Sequence, residues 1–549
     1  MASFSEFSQA LEKIRLASGK NEKVSILAEL LSGLDEDEVE FAARFATGRA
    51  NPKGSSDETQ VGYSTLVDVL QEVTGVTEAE LGKSYLKHGD LGESVADFIE
   101  RRRDATLFHE PLSISDVAET FGRITEAKGK GSTSLKRGLV KSLLLRSSRL
   151  EAKYVFKILT REMRIGLVEG LVEEAVAVAY GQEREKVKGA FLMLGDVGLL
   201  AKEARAGRLD KVEIRLMRPT NFMLAEPMQS AGEIADYFGK TLFAEYKYDG
   251  VRAQTHKKGG VVKIFSRRLE EITGSFPEVV ESVRRIRHDL ILDGEVVAFK
   301  DGPASFQLLQ RRLRRLDTEE SQKITPIRYY CFDILLLDEK PVYKEPLRER
   351  RALLAGALEG SSVFMADSAK LREAPEIEAR FRESRALGYE GLVVKDPESP
   401  YTPGRRGRFW AKLKEELDTL DVVVVAAEFG HGKRAGKISD YTFAVRDGDE
   451  LRVIGKAYSG LSDKEIDELG AKIRKITVKD NGFRRQVRPE IVLEVAFDSI
   501  QRSERHDSGY ALRFPRIKRI RDDKPLSEID SIEAVKRIYE GQKVRAEAA

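Results

Sequence analysis

Along the first 215 residues, apolar positions recur at spacings of three and four. VSILAELLSGL, STLVDVLQEVTGV, KYVFKILTREMRIGL and VEEAVAVAYG all show it, with Gly and Asp where helices would end. The opening MASFSEFSQALEKIRLAS is amphipathic, with Phe4, Phe7, Leu11 and Ile14 on one helical face. It carries acids and lacks the continuous apolar core of a secretion signal. The pattern predicts an all-α domain over 1–215, without a strict repeat. From residue 216, LMRPTNFMLAEPMQSA brings two prolines and a change of texture. Alternation follows in LFAEYKYDG, VRAQTHKKGGVVKIFSRR (KKGG as hairpin turn), LILDGEVVAF, YYCFDILLLD and EGLVVK. Helical FQLLQRRLRRL and EIEARFRESRALG are interleaved, so 216–415 reads as a mixed α+β domain. Beyond 416, DVVVVAAEFG, YTFAVRDGDELRVIGKAYSG and EIVLEVAFDSI predict a small antiparallel barrel to residue 549. The helix SDKEIDELGAKI interrupts it and SEIDSIEAVKRIYEGQ closes it with a short helix.

Composition narrows the class. A chain of 549 residues is too long for one core. Its 41% hydrophobic and 34% charged residues mark a globular chain. Net charge is +2, so a surface for a polyanion must come from local clustering. The lone Cys331 excludes an internal disulfide and a multi-cysteine zinc ribbon, and points to a reducing, intracellular setting. His88, His109, His256, His288, His431 and His506 are scattered, with no i,i+4 metal pair. No apolar run is long enough for a membrane span.

Candidate chemistry starts at FAEYKYDGVR, 243–252. Alternation puts Glu245, Lys247 and Asp249 on one side of a short strand and Tyr246 and Tyr248 on the other. Lys-x-Asp-Gly alone is weak. The remainder of the chain adds SRRLEEIT, LDGEVVAF, YYCFDILLLD, EGLVVK, WAKLK and RFPRIKRIRDDK, in that order. In LDGEVVAF a turn-type Asp-Gly precedes Glu295, which heads an apolar strand. Glu390 and Lys395 bracket Leu-Val-Val, while Lys412 and Lys414 share a strand face with Trp410. Strands ending in acids and lysines suit a cleft for a polyanion and its metal.

This ordered set resembles the motifs of covalent nucleotidyltransferases. Within them it is similar to ATP-dependent DNA ligases of the archaeal and eukaryotic replicative type. FKILTREMRIGL is also similar to their DNA-binding domain, so the resemblance covers nearly the whole chain. It implies a multidomain fold: an all-α DNA-binding domain, an α+β adenylation domain and a β-barrel OB-fold domain. Lys247 would be the adenylated nucleophile. Glu245 would sit beside the adenine and Phe332 would stack on it. Arg252 and Arg267 would contact ribose or phosphates, and Arg408 and Lys414 would grip the α-phosphate. Glu295 and Glu390 would hold Mg²⁺ or another divalent cation. Arg513, Arg516 and Lys518 would orient pyrophosphate, from a barrel hinged near Lys414 to Asp421.

The chemistry asks for such residues. A lysine amine that attacks the α-phosphate of ATP forms a phosphoramidate and releases pyrophosphate. A solvated lysine has a pKa of about 10.4, so few molecules react at neutral pH. Arg252, Lys412, Lys414 and a metal could lower it, whereas Asp249 would oppose them. The other substrate implied is nicked duplex DNA, held through phosphates by a monomer. Arg161 and Arg164 in LTREMRIG would serve as donors at a helix terminus. Arg311, Arg312, Arg314 and Arg315 offer either a second stripe or a solvated face. RRRDATLFHEPLS (101–113) keeps Leu107 and Phe108 as apolar anchors for a sliding clamp but lacks the expected glutamine. Alternatives fit less well. An NAD⁺-dependent ligase would need zinc cysteines, and a capping enzyme would lack the long helical domain. RNA ligases are usually smaller and end in different motifs. A non-catalytic clamp would have lost Lys247 or a partner.

Overall fold

The computed structural model describes residues 2–54, 61–102, 111–299, 302–304, 308, 309, 312, 326–414, 418–430, 434, 436–482 and 484–547. The chain falls into two compact units. The first gathers most of residues 1–374 with Val393–Lys412; the second gathers Pro375–Leu392 and the chain from Leu413 onward.

The first unit opens with helices, from Phe4–Leu16 through Lys20–Ser32 and Glu36–Ala46 to Arg184–Leu194 and Val197–Arg205. Reciprocal caps start several, such as Asp35 with Glu38 and Ser148 with Glu151. Phe4, Phe7, Leu11 and Ile14 are all fully buried, as their shared face predicts. Several contacts tie the helical part to the segment after residue 216, among them one shared carbonyl. Leu192 O accepts from Thr220 Oγ1 at 3.0 Å and from the Asn221 backbone N–H at 3.1 Å.

Two sheets follow. The first has the order β1 (Leu224–Met228), β11 (Arg406–Lys414), β10 (Gly391–Lys395), β2 (Leu242–Tyr246), β9 (Ser368–Leu371). The second runs β4 (Val261–Ser266), β3 (Val251–Lys258), β5 (Leu290–Ala298), β6 (Ile327–Leu337), β7 (Lys340–Pro341), with β8 (Phe364–Met365) parallel to β6. The KKGG hairpin joins β3 and β4 as expected. In the second unit, β12 (Asp418–Phe429), β13 (Ile438–Asp447), β14 (Glu450–Ala457), β15 (Thr477–Asp480), β16 (Arg484–Val487), β17 (Val492–Phe497) and β20 (Arg516–Ile520) form an antiparallel sheet. β18 (Ser499–Arg502) pairs with β19 (Tyr510–Arg513). Helix Asp463–Ile476 lies in the sequence between β14 and β15.

Several local expectations are corrected. Strand β2 ends at Tyr246, so Lys247 and Asp249 lie in the loop beyond it rather than on the strand. Asp293-Gly294 is no turn but the middle of β5, so Glu295 lies inside that strand rather than heading it. Glycine is needed there because β5 pairs with β6 at an irregularity: a Cβ on Gly294 would lie 2.5 Å from the Tyr330 carbonyl oxygen. The turn holding Arg161 and Arg164 follows helix Arg149–Leu159, so the terminus there is a carbonyl end, the wrong polarity for phosphate. The two arginines are exposed in left-handed backbone, φ 58° and 49°, and Arg164 donates to Glu162 at 2.8 Å. Arg312 is buried, paired with Glu278 and bonded to Ser275 O at 2.8 Å, so it belongs to no open stripe. Arg311, Arg314, Arg315, Leu107 and Phe108 lie outside the described residues.

Candidate active site

Glu245 is 2% exposed near the end of β2, and two cations close on its carboxylate. Arg351, from helix Leu347–Leu358, pairs with Oε1, and Lys395 at the end of β10 lies 2.5 Å from Oε2. The lysine contact is an ion pair rather than an aligned hydrogen bond. The Lys395 Nζ also stands 4.4 Å from the centre of the Phe332 ring and 4.3 Å from that of Trp410. Burial pushes the Lys395 pKa below its ordinary value, against the pull of Glu245.

Phe332 owes its aim to a break in pairing. Gly294 faces Cys331 and Asp293 faces Asp333, which leaves Phe332 as the extra residue of a β-bulge. The half-buried ring meets Trp410 edge-on at 6.3 Å and 82°. Arg252 stands 5.4 Å from the same ring. Its Nε and Nη2 donate to the two oxygens of Asp293 at 3.1 and 2.8 Å, and Tyr401 Oη donates to Asp293 Oδ2 at 2.7 Å. Burial opposes the charge of Arg252, but Asp293 outweighs it and raises the guanidinium pKa. On the neighbouring strand β6, opposite Asp293, Asp333 forms a fully buried bidentate pair with Arg350 at 2.7 and 2.9 Å.

The half-buried Lys247 begins a loop that is pinned at two points. Tyr248 stacks on Tyr330 with centroids 4.4 Å apart and planes 12° from parallel. Gly250 presses against β5, where a Cβ would lie 2.2 Å from Val296 O and 2.9 Å from Glu295 Cγ. The loop therefore runs against Glu295, which also lies opposite Arg252 in the β3–β5 register. Arg267 is exposed on the turn after β4. Arg408 is exposed on β11 with φ 65°, a left-handed conformation costly for arginine. Lys412 is half-buried on the same strand.

In the second unit, Glu390 is half-buried directly before β10, and Lys414 lies 3.5 Å from Asp498 Oδ1. Arg513 ends β19 with its guanidinium 5.0 Å from the Phe514 ring centre. Arg516 and Lys518 are exposed on β20, on either side of buried Ile517.

Among the described residues, no three His, Cys, Asp or Glu side chains form a ready metal cage. Mg²⁺ ordinarily takes one or two carboxylates and completes its shell with substrate phosphates and water; Glu295 in the first unit and Glu390 in the second each carry a carboxylate of that kind. Sequence patterning does not single out Asp293, Tyr401 or Arg351. Each acts by fixing another side chain, and only the acid of LDGEVVAF left a trace in a motif.

Comparison with known proteins identifies the family. The family model for the ATP-dependent DNA ligase domain matches residues 222–414. The DNA ligase N terminus matches 3–177, and the ATP-dependent DNA ligase C-terminal region matches 434–524. A probable DNA ligase of Koribacter versatilis is 42% identical over 560 residues, covering 97% of this chain and 96% of its own length. The DNA ligase of Methanothrix thermoacetophila is 39% identical over 557 residues and covers 100% of both chains. The solved structure Pmar-Lig_PreS3 covers 94% of this chain and 99% of its own with a TM-score of 0.58 at 17% identity, a likeness of fold. The architecture is multidomain, with an adenylation domain and an OB-like C-terminal domain. No described helix is long and apolar enough to cross a membrane. The chain belongs to the ATP-dependent DNA ligases, enzymes whose general function is to seal nicks in DNA.

Proposed function

We propose that this ligase works through AMP carried on Lys247. The neutral amine attacks the α-phosphorus of ATP, a P–N bond forms, the P–O bond to pyrophosphate breaks, and the amine proton leaves to solvent. The AMP then passes to the 5′-phosphate of a nick, restoring the lysine. Attack by the 3′-hydroxyl forms the phosphodiester and expels AMP. The observation that carries this reading is the Lys247 loop, clamped by Tyr248 on Tyr330 and by Gly250 on β5 beside Glu295. Such fixing of a nucleophile holds reacting atoms in line without further ordering.

Around it, Glu245 and Phe332 receive the base, and Lys395 shares their pocket. Arg252 has two donors committed to Asp293, so it aligns the cleft and offers its remaining N–H groups to the nucleotide. Arg267, Arg408, Lys412 and Lys414 supply cations for ribose and phosphates. Glu295 and Glu390 would hold Mg²⁺, which when bound would offset negative charge building on the phosphates. Residues 1–215 form a DNA-binding domain in which Arg161 and Arg164 meet the backbone. Residues 216–415 form the adenylation domain, and 416–549 an OB-fold whose Arg513, Arg516 and Lys518 orient pyrophosphate. The test is incubation with α-labelled ATP and Mg²⁺, then denaturing electrophoresis. Label should survive denaturation, leave in acid and vanish in Lys247→Ala; undiminished label in that variant rules the reading out.

A further inference from the structure

Helix Leu347–Leu358 places two consecutive arginines on two different carboxylates. Arg350 closes on Asp333 of β6, with both side chains fully buried, and serves the core. Arg351 reaches the other sheet. Its Nη1 pairs with Glu245 Oε1, its Nη2 donates to Ala366 O at 3.2 Å, and its guanidinium stands 5.6 Å from the Phe243 ring centre. The helix thus fixes one oxygen of Glu245 through a planar group that is itself held at a backbone carbonyl. Lys395 holds the other oxygen.

We infer that Arg351 is a positioning residue for purine selection: it holds Glu245 as an acceptor-only carboxylate that favours a 6-amino over a 6-oxo base. This rests on the reading that Glu245 faces the base. A carboxylate engaged by two cations keeps lone pairs but has no proton to give. An amino group at purine C6 can donate to it, whereas a 6-oxo group meets lone pair with lone pair. A site built to bond a donor rejects the analogue lacking it far more strongly than size alone would allow. Without Arg351 the carboxylate loses its anchor on one side and swings out of its accepting position, which would admit the 6-oxo base.

The experiment measures self-adenylation with ATP and with inosine triphosphate, its 6-oxo analogue, in wild type, Arg351→Met, Arg351→Lys, Arg350→Met and Glu245→Gln, with thermal unfolding of each. Arg351→Met should lower the ATP-to-inosine ratio by about tenfold, mainly through KM. Arg351→Lys, which keeps the charge, should recover part of it. Arg350→Met should lose thermal stability while its folded fraction keeps the wild-type ratio. If Glu245→Gln leaves the ratio at the wild-type value, Glu245 does not read the base. If Glu245→Gln shifts the ratio and folded Arg351→Met does not, the positioning role of Arg351 is overturned. A ratio changed equally by Arg350→Met would show a packing effect and overturn it as well.

Discussion

Two groups of charges in this molecule differ in how firmly they are held. Around Glu245 and Asp293 the charges are largely withdrawn from water: Lys395 is 1% exposed, Asp293 and Asp333 are fully buried, and Arg351 and Arg252 are mostly covered. Each touches a specific oxygen or ring face. On β20 the alternation Arg516, Ile517, Lys518 leaves both cations in water with only the isoleucine buried. Nearby Arg519 meets Glu494 at 2.7 Å but is 62% exposed, a pair worth little in stability. Desolvation makes the difference. A buried ion must be met by partners of fixed geometry, because an unmet one costs several kcal/mol, whereas an exposed ion is satisfied by water and stays free for a ligand. The first arrangement suits recognition of one small base; the second suits a phosphate that arrives and leaves.

The largest effect should come from Lys247→Ala, which should lower label transfer and nick sealing by about 10⁴-fold or more, measured in gel assays. The contrast between dry and wet charges is tested next by Arg350→Met. Leaving Asp333 buried without its partner should cost about 3–5 kcal/mol of unfolding free energy in urea titrations.

His256 gives a third measure. It is fully buried, accepts the Met217 backbone N–H at Nδ1 at 3.0 Å, and is held neutral because burial pushes its pKa down to about 3. The unfolded chain binds a proton near pH 6.5 and the folded chain does not, so stability falls with pH between about 6.5 and 3, by about 1.4 kcal/mol per unit. Above that window the group is neutral in both states and contributes no slope. His256→Gln should flatten this part of the stability profile; an unchanged slope would mean that the imidazole charges within the fold. The smallest change in stability belongs to the wet pair. Arg516→Ala with Lys518→Ala should move stability by no more than about 0.5 kcal/mol. If these cations also meet DNA phosphate, the salt dependence of DNA binding should fall by about two in slope, read by fluorescence anisotropy.

Much was legible in order and pattern. The buried faces of the first helices, the hairpin at KKGG and the strands of YYCFDILLLD and EGLVVK follow from spacing alone, because burial on one face imposes its period on the residues. Asp293-Gly294 misled because the same dipeptide serves a turn or a bulged strand pairing, and only Tyr330 on the neighbouring strand distinguishes them. The bulge at Phe332 was hidden for a similar reason: register belongs to a pair of strands.

The order of residues by itself determined which groups could do chemistry here: a lysine and carboxylates in or beside short apolar strands, and basic residues near the end. Tertiary structure decided which of those groups are dry, and therefore fixed. Arg351 meets Glu245 across 106 positions and Arg252 meets Asp293 across 41. No local pattern encodes such pairs, because the cost of burying a charge is set by what the fold brings beside it.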